Sequence, residues 1–109
     1  MRDTNDLLYG TLDILVLKTL SWAPMHGYAI VKWLEDRTRG ELTIVDAALY
    51  KALHRLEHAK AITSEWGVSE NNRRARYYSL TNRGRQLLKA DAATWRRYAV
   101  AVERVLGTT

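Results

Sequence analysis

The residues with the most chemistry to offer lie in one stretch, Asp46 to Lys60, where Tyr50, Lys51, His54, Arg55 and His58 share the outer side of a helical repeat. Hydroxyl, ammonium, guanidinium and imidazole groups set about one turn apart suit phosphates and base edges. Leu49, Leu53 and Leu56, with Ala52 and Ala59, recur on the other side, so the stretch predicts an amphipathic helix with a buried stripe and a reading face. Asp46 is expected to be its N-cap, with Val45 and Tyr50 as a hydrophobic staple. His54-Arg55-Leu56-Glu57-His58 also matches H-x-x-E-H, a zinc-protease pattern. Three features argue against that reading. His26 is the only other histidine, Arg55 sets a cation beside the would-be metal, and 109 residues leave little room for a substrate cleft. With no Gly-rich phosphate loop and no plausible Ser/His/Asp arrangement, the expectation is a protein that is not an enzyme and uses no metal or cofactor.

A stretch of this kind needs a scaffold, and the length allows one compact unit. The net charge of +5 is unevenly placed: residues 1 to 46 hold five Lys/Arg against seven Asp/Glu, a balance of −2, and residues 47 to 109 hold twelve against five, a balance of +7. The basic half begins with the reading helix, which favours a polyanionic partner. The chain has no cysteine, no apolar run of membrane-spanning length and no basic-then-apolar leader, so a cytoplasmic protein with no membrane partner is expected.

Taken in order, Leu7 to Leu20 is apolar on nearly every side and predicts a helix needing cover all round, one face on the domain's own core and the other on a second subunit. Complete wrapping by its own chain is the competing reading. Ser21-Trp22-Ala23-Pro24 ends it. A second helix follows Met25-His26-Gly27-Tyr28 and runs to about Arg39, with Gly40 at its C′ position, and Leu42-Thr43-Ile44 is long enough for one brief strand. Beyond the reading helix, Ile62 to Trp66 and Arg76 to Leu80 alternate with period two, joined by a polar segment whose Asn71-Asn72 suits a turn. Arg73 and Arg74, with Arg76 behind them, give this hairpin a cationic tip suited to phosphates or the minor groove. Thr81 is expected to cap a last helix running to about Leu106 and ended by Gly107.

Helix, helix, short strand, helix, ribbon, helix is the order of a winged helix-turn-helix, a mainly α protein with a small β-ribbon (α+β). In the last helix Leu88, Ala92, Trp95, Ala99, Val102 and Leu106 are spaced 4, 3, 4, 3, 4, the seam of a helix packed on another long helix. A second stripe, Leu87, Thr94, Tyr98, Ala101 and Val105, widens that face. The expected division is a DNA-binding part over residues 1–82 and a dimerisation helix over 83–109, forming one unit. Trp95 at the middle of the seam could face its dimer mate and frame, with Tyr98 and Leu8, a slot for a planar apolar ligand, or be a packed structural tryptophan.

Four ordered segments carry a family likeness: Gly10-Thr11-Leu12-Asp13-Ile14-Leu15, His26-Gly27-Tyr28, Leu49 to Glu57, and Asn72-Arg73-Arg74-Ala75-Arg76-Tyr77-Tyr78-Ser79-Leu80-Thr81-Asn82-Arg83-Gly84. From Leu8 to about Leu106 the chain closely resembles the PadR family of bacterial transcriptional regulators, in its short branch with a single C-terminal dimerisation helix. The resemblance implies a homodimeric repressor of its own or neighbouring genes, often those for phenolic-acid detoxification or multidrug export, bound to a pseudo-palindromic operator and in some members released by small aromatic effectors at a tryptophan matching Trp95. The expected DNA contacts are His26, Tyr28, Ala47, Ala48, Tyr50, Lys51, His54, Arg55, Asn72, Arg73, Arg74 and Arg76, and the expected dimer contacts are Leu8, Leu12, Leu15, Leu88, Ala92, Trp95, Tyr98, Ala99, Val102 and Leu106. An aromatic-ligand-binding or partner-binding dimer with only non-specific DNA affinity is the alternative. Many relatives have proline at Lys51 and glycine at Lys60, so the helix path and the operator are the points at which this chain departs.

Overall fold

A computed structural model of the chain describes residues 11–107. Among them are α1 (Leu12–Leu20), β1 (Met25–His26), α2 (Gly27–Arg37), α3 (Asp46–His58), β2 (Ile62–Val68), β3 (Arg74–Leu80) and α4 (Asn82–Leu106). The strands form one antiparallel sheet in the order β1-β3-β2. This is the winged helix-turn-helix expected from the order of elements.

α1 is the centre. Val16 and Leu17 are fully buried, Leu12 and Leu20 nearly so, and the helix touches α2, α3, α4 and β3. The cover is uneven: Asp13, Ile14 and Leu15 are half-buried and Lys18 is exposed, so the chain's own packing closes only part of the helix surface. Leu12, expected at a dimer interface, is 4% exposed and belongs to the protomer's own core. Leu15 is half-buried against that core, and Leu8 lies outside the described residues.

The third strand is not where the sequence pattern put it. Leu42 to Ile44 forms no strand; its place beside the ribbon is taken by Met25–His26, which pairs with Tyr78 and Tyr77. Two residues are too few to show a period. Ile44 is buried and Leu42 packs on the core, which is what their apolarity was for.

Two helix ends differ from expectation. Val45, not Asp46, is the N-cap of α3, because the Val45 carbonyl already accepts from the Leu49 N–H at 3.0 Å. Asp46 makes no cap hydrogen bond but lies in the first turn, where its charge opposes the positive end of the helix dipole, and Val45 and Tyr50 are both exposed rather than stapled. α2 closes in a Schellman motif: the Arg39 N–H donates to the Asp36 carbonyl (3.2 Å) and the Gly40 N–H to the Glu35 carbonyl (2.8 Å). Arg39, with φ 53°, is thus the C′ residue, and Gly40 stands one beyond it. Gly107 ends α4 as expected, in right-handed geometry with φ −76°.

α3 ends the same way as α2. The Lys60 N–H donates to the Glu57 carbonyl (3.0 Å) and the Ala61 N–H to the Leu56 carbonyl (2.9 Å), which puts Lys60 at C′ with φ 63°. A side chain there is held in the left-handed region, where only glycine sits without strain. Lys60→Gly is expected to stabilise the fold by about 0.5–1 kcal/mol, glycine's extra unfolded-state freedom offsetting part of the relief. In thermal unfolding followed by circular dichroism that is a rise of roughly 2–6 °C. An unchanged or lower midpoint would show the strain to be relieved elsewhere.

α4 is rooted on the base of the ribbon. The Thr81 hydroxyl accepts from the Gly84 N–H (3.0 Å), the expected cap, and itself lies 2.8 Å from the Lys60 carbonyl and 2.9 Å from that of Ala61. The Thr81 N–H also donates to Ala61 O at 3.1 Å. Gly84 is the only residue of the 25 in α4 that is fully buried, pressed on the Ala61 backbone. Leu87 and Leu88 then pack on the core. Beyond Asp91 the helix carries Trp95, Tyr98, Val105 and Leu106 exposed, and the molecule measures 55 × 29 × 20 Å.

Candidate nucleic-acid interface

The α3 helix is held by Leu49, Ala52, Leu53 and Leu56, all buried. At 100° per residue, the side opposite that stripe carries Ala47, Lys51, His54 and His58, all exposed. Tyr50 and Glu57 lie on the flank toward the ribbon, and Ala48 and Arg55 on the flank toward α1. Tyr50 is 53% exposed and leans over the start of α2, where a Cβ on Gly27 would come within 2.7 Å of its hydroxyl. The glycine is what lets the tyrosine lie there. Tyr28 stands exposed on the first turn of α2. His26 is the N-cap of that helix: its Nδ1 accepts from the Ala29 N–H at 3.1 Å and its ring meets Tyr77 edge-on, with centroids 5.3 Å apart. Its expected role as a DNA contact thus competes with two structural duties.

Arg55 lies on the α1 flank of the helix, where its guanidinium grips the Asp13 carboxylate, 2.8 Å at one nitrogen and 3.5 Å at the other. The partner lies 42 residues away, so no local pattern could announce it. An exposed pair of this kind adds little to stability, on the order of 0–1 kcal/mol, but it fixes where the side chain points.

The ribbon is longer than its alternation implied. β2 and β3 have seven residues each, paired from Ile62↔Leu80 to Val68↔Arg74. The Tyr77 ring covers Gly67 and its hydroxyl donates to the Val68 carbonyl at 3.1 Å, which extends the pairing past the expected end. The turn spans Ser69 to Arg73, with Asn72 at φ 58°, as expected of Asn-Asn. Asn72 therefore shapes the turn, Arg73 is exposed at its end, Arg74 opens β3 rather than standing in the tip, and Arg76 is in the strand as expected.

Arg76 joins ribbon to helix. Its Nε donates to Ser64 Oγ (2.7 Å) and a terminal nitrogen to Glu57 Oε2 (3.3 Å), while Ser64 Oγ donates to the same carboxylate oxygen (2.6 Å). This closed triangle fixes α3 against the ribbon and floors a groove of about 510 Å³ lined by Tyr50, His54, Glu57, His58, Arg76 and Tyr78. Burial pushes the Tyr78 phenol above its ordinary value, with Arg76 pulling the other way, so at neutral pH it stays an uncharged hydroxyl. No group of three or more His, Cys, Asp or Glu able to hold a metal occurs among the described residues. Glu57 of the H-x-x-E-H spelling is engaged by Arg76 and Ser64.

A second cleft, of about 580 Å³, opens on the other side of α3, lined by Asp13, Ile14, Arg55, Asp91, Thr94, Trp95 and Tyr98. Trp95 and Tyr98 are exposed in the single chain, Ala92, Ala99 and Val102 are half-buried, and Leu88 is shared with the core.

A reading face, a ribbon beside it and a core helix in the middle describe a fold; the comparisons say whose. Residues 16–90 match the model of the transcriptional regulator PadR-like family. The chain belongs to this family. Among PadR structures, a PadR family transcriptional regulator from Eggerthella lenta superposes with a TM-score of 0.80 at 34% identity, covering 95% of this chain and 88% of that one. A transcriptional regulator from Clostridium thermocellum gives 0.82 at 28% identity over 91% and 93%. The transcriptional regulator YqjI of Escherichia coli is 30% identical over 83 residues, 76% of this chain but 38% of that protein. PadR proteins are transcriptional regulators, not enzymes, and this chain is one of them. No helix among its described residues is long and apolar enough to cross a membrane.

Trp66, in a strand whose alternation predicts half-burial, is 57% exposed on the PadR surface and stacked by arginine. The signal lies in the register, which pairs Trp66 with Arg76 and so sets cations around it.

Proposed function

We propose that the protein is a homodimeric, sequence-specific DNA-binding repressor of its own or neighbouring genes, with α3 in the major groove and the ribbon along the backbone. The observation that carries this is the continuity of one basic surface: Lys51, His54 and His58 on α3 adjoin Arg76 and, further out, Arg74 and Arg73, across a groove held open by the Glu57–Ser64–Arg76 triangle. Tyr50 and Tyr28 edge the same surface with hydroxyls for phosphate oxygens. Pairing two copies through the outer half of α4 would cover Trp95, Tyr98 and Leu106, which a single chain leaves to water, together with half-buried Val102. The protein works in the cytoplasm with double-stranded DNA.

The second cleft supports regulation by a planar aromatic effector. Its volume suits a drug-sized molecule, and Trp95 and Tyr98 supply ring faces. Arg55 belongs both to the recognition helix and to this cleft through its pair with Asp13. An occupant that disturbs that pair acts directly on α3, which gives the two sites a physical connection.

A mobility-shift titration with the DNA upstream of its own gene tests the whole reading. A complex of two chains per site is expected, preferred over random duplex and weakened by about 10²-fold or more between 50 and 200 mM salt. A planar dye is expected to quench tryptophan fluorescence in the wild type but not in Trp95→Ala, and to weaken the DNA complex. Equal affinity for random duplex would reduce the protein to the alternative, a ligand-binding or partner-binding dimer with non-specific DNA affinity.

A further inference from the structure

One face of the ribbon changes its surroundings along its length. Residues paired across antiparallel strands share a face, so Ile62, Ser64, Trp66 and Val68 lie on the same side as Leu80, Tyr78, Arg76 and Arg74. At the root this side is core: Ile62 is buried at 1% and Tyr78 at 6%. Four residues further out the core has ended, yet the side remains apolar, with Trp66 and Val68 both exposed. The opposite side, with Thr63, Glu65 and Gly67, carries no such apolar surface in β2.

The exposed indole is not bare. The Arg74 guanidinium stacks 4.5 Å from its ring centroid and that of Arg76 lies 6.0 Å away. Arg76 is in turn held by Glu57 of the recognition helix. The run Glu57, Arg76, Trp66, Arg74 thus leads from the end of α3 to the outer ribbon. A guanidinium laid on a ring keeps its N–H edge free and loses fewer conformations when it donates to an anion.

We propose that Trp66 is a DNA-contacting residue of this protein, its indole resting with Val68 on the sugar edge of the duplex while the stacked Arg74 is aimed at a phosphate. The inference rests on the DNA-binding reading above. A polyanion with apolar sugars is the partner that matches an apolar plate edged by cations; an apolar protein surface would leave Arg73 and Arg74 without counter-charge.

The test uses the intact protein and the upstream duplex. Trp66→Ala is expected to keep its circular dichroism and its melting midpoint, since the side chain is largely in water, and to lose about tenfold or more in affinity. Trp66→Phe, which keeps a ring for Arg74, is expected to stay within about threefold of the wild type. Removing Arg74 should cost less in the Trp66→Ala background than in the wild type, because the two act together. DNA should quench the wild-type fluorescence and leave that of Trp66→Phe, with Trp22, Trp33 and Trp95 intact, nearly unchanged. If the wild type binds and Trp66→Ala binds within twofold of it, or if quenching persists in Trp66→Phe, the proposal is overturned and the DNA reading stands. A wild type with no affinity for the duplex overturns both.

Discussion

Gly84→Ala is expected to cost the fold about 3 kcal/mol, the upper range for inserting a methyl group into a site with no space. A Cβ at this position would overlap the Ala61 carbonyl oxygen and come within 2.6 Å of Leu80 Cδ1. The leucine could turn aside; the carbonyl cannot, because it already accepts from the Thr81 N–H and faces the Thr81 hydroxyl. Relief must come from lifting the whole start of α4 off the ribbon, which breaks those hydrogen bonds. In a domain whose total stability is on the order of 5–15 kcal/mol, the melting midpoint should fall by roughly 12–20 °C. Gly107→Ala is the control, with ordinary φ and open surroundings apart from the Glu103 carbonyl at 3.1 Å, and should melt within about 2 °C of the wild type. A Gly84→Ala protein that melts with the wild type would show that this joint yields freely.

Lys51→Ala should be the most damaging single change to DNA binding on α3, and Arg55→Ala among the mildest. Lys51 stands exposed on the outward face between Ala47 and His54. Losing one phosphate or base-edge contact costs about 1–3 kcal/mol, and the proposed dimer would lose it twice, so an affinity drop of about 10²-fold or more is expected. The Arg55 guanidinium is turned to Asp13 on the α1 side, and its removal should change affinity by no more than about threefold. Both variants are exposed substitutions and should melt close to the wild type. Quantitative mobility shift on the same duplex decides it: equal losses from the two would return Arg55 to the reading face, and an unaffected Lys51→Ala would take lysine out of it.

These two predictions mark where sequence reasoning reached and where it stopped. Periodicity found α3, the ribbon and α4, since each has enough residues to show a repeat: Leu49, Leu53 and Leu56 are buried as read, and Asn82–Leu106 ends where expected. Local chemistry found the Thr81 cap and the Asn72 turn, both settled within four residues of chain. What escaped was settled at a distance. Arg55 is placed by an aspartate on another helix, Arg76 by a glutamate 19 residues away, and β1 by a strand some fifty residues later. Leu12 belongs to the core, on a helix that three other helices pack against, which one amphipathic profile does not encode. The left-handed residues show the opposite limit: Arg39 and Lys60 take backbone angles that their side chains resist, because the helix ends require them.

The joint at Thr81 and Gly84 has a consequence for the operator. A 25-residue helix is a lever about 37 Å long, pivoted where it presses on the ribbon and loaded, in the proposed dimer, at its far end. A tilt of 5° at that pivot swings the tip through about 3 Å, close to the roughly 3.4 Å between successive base pairs. In the proposed dimer the distance between the two α3 helices, and so the half-site spacing they could span, would be geared to an angle fixed by one buried glycine and one threonine hydroxyl.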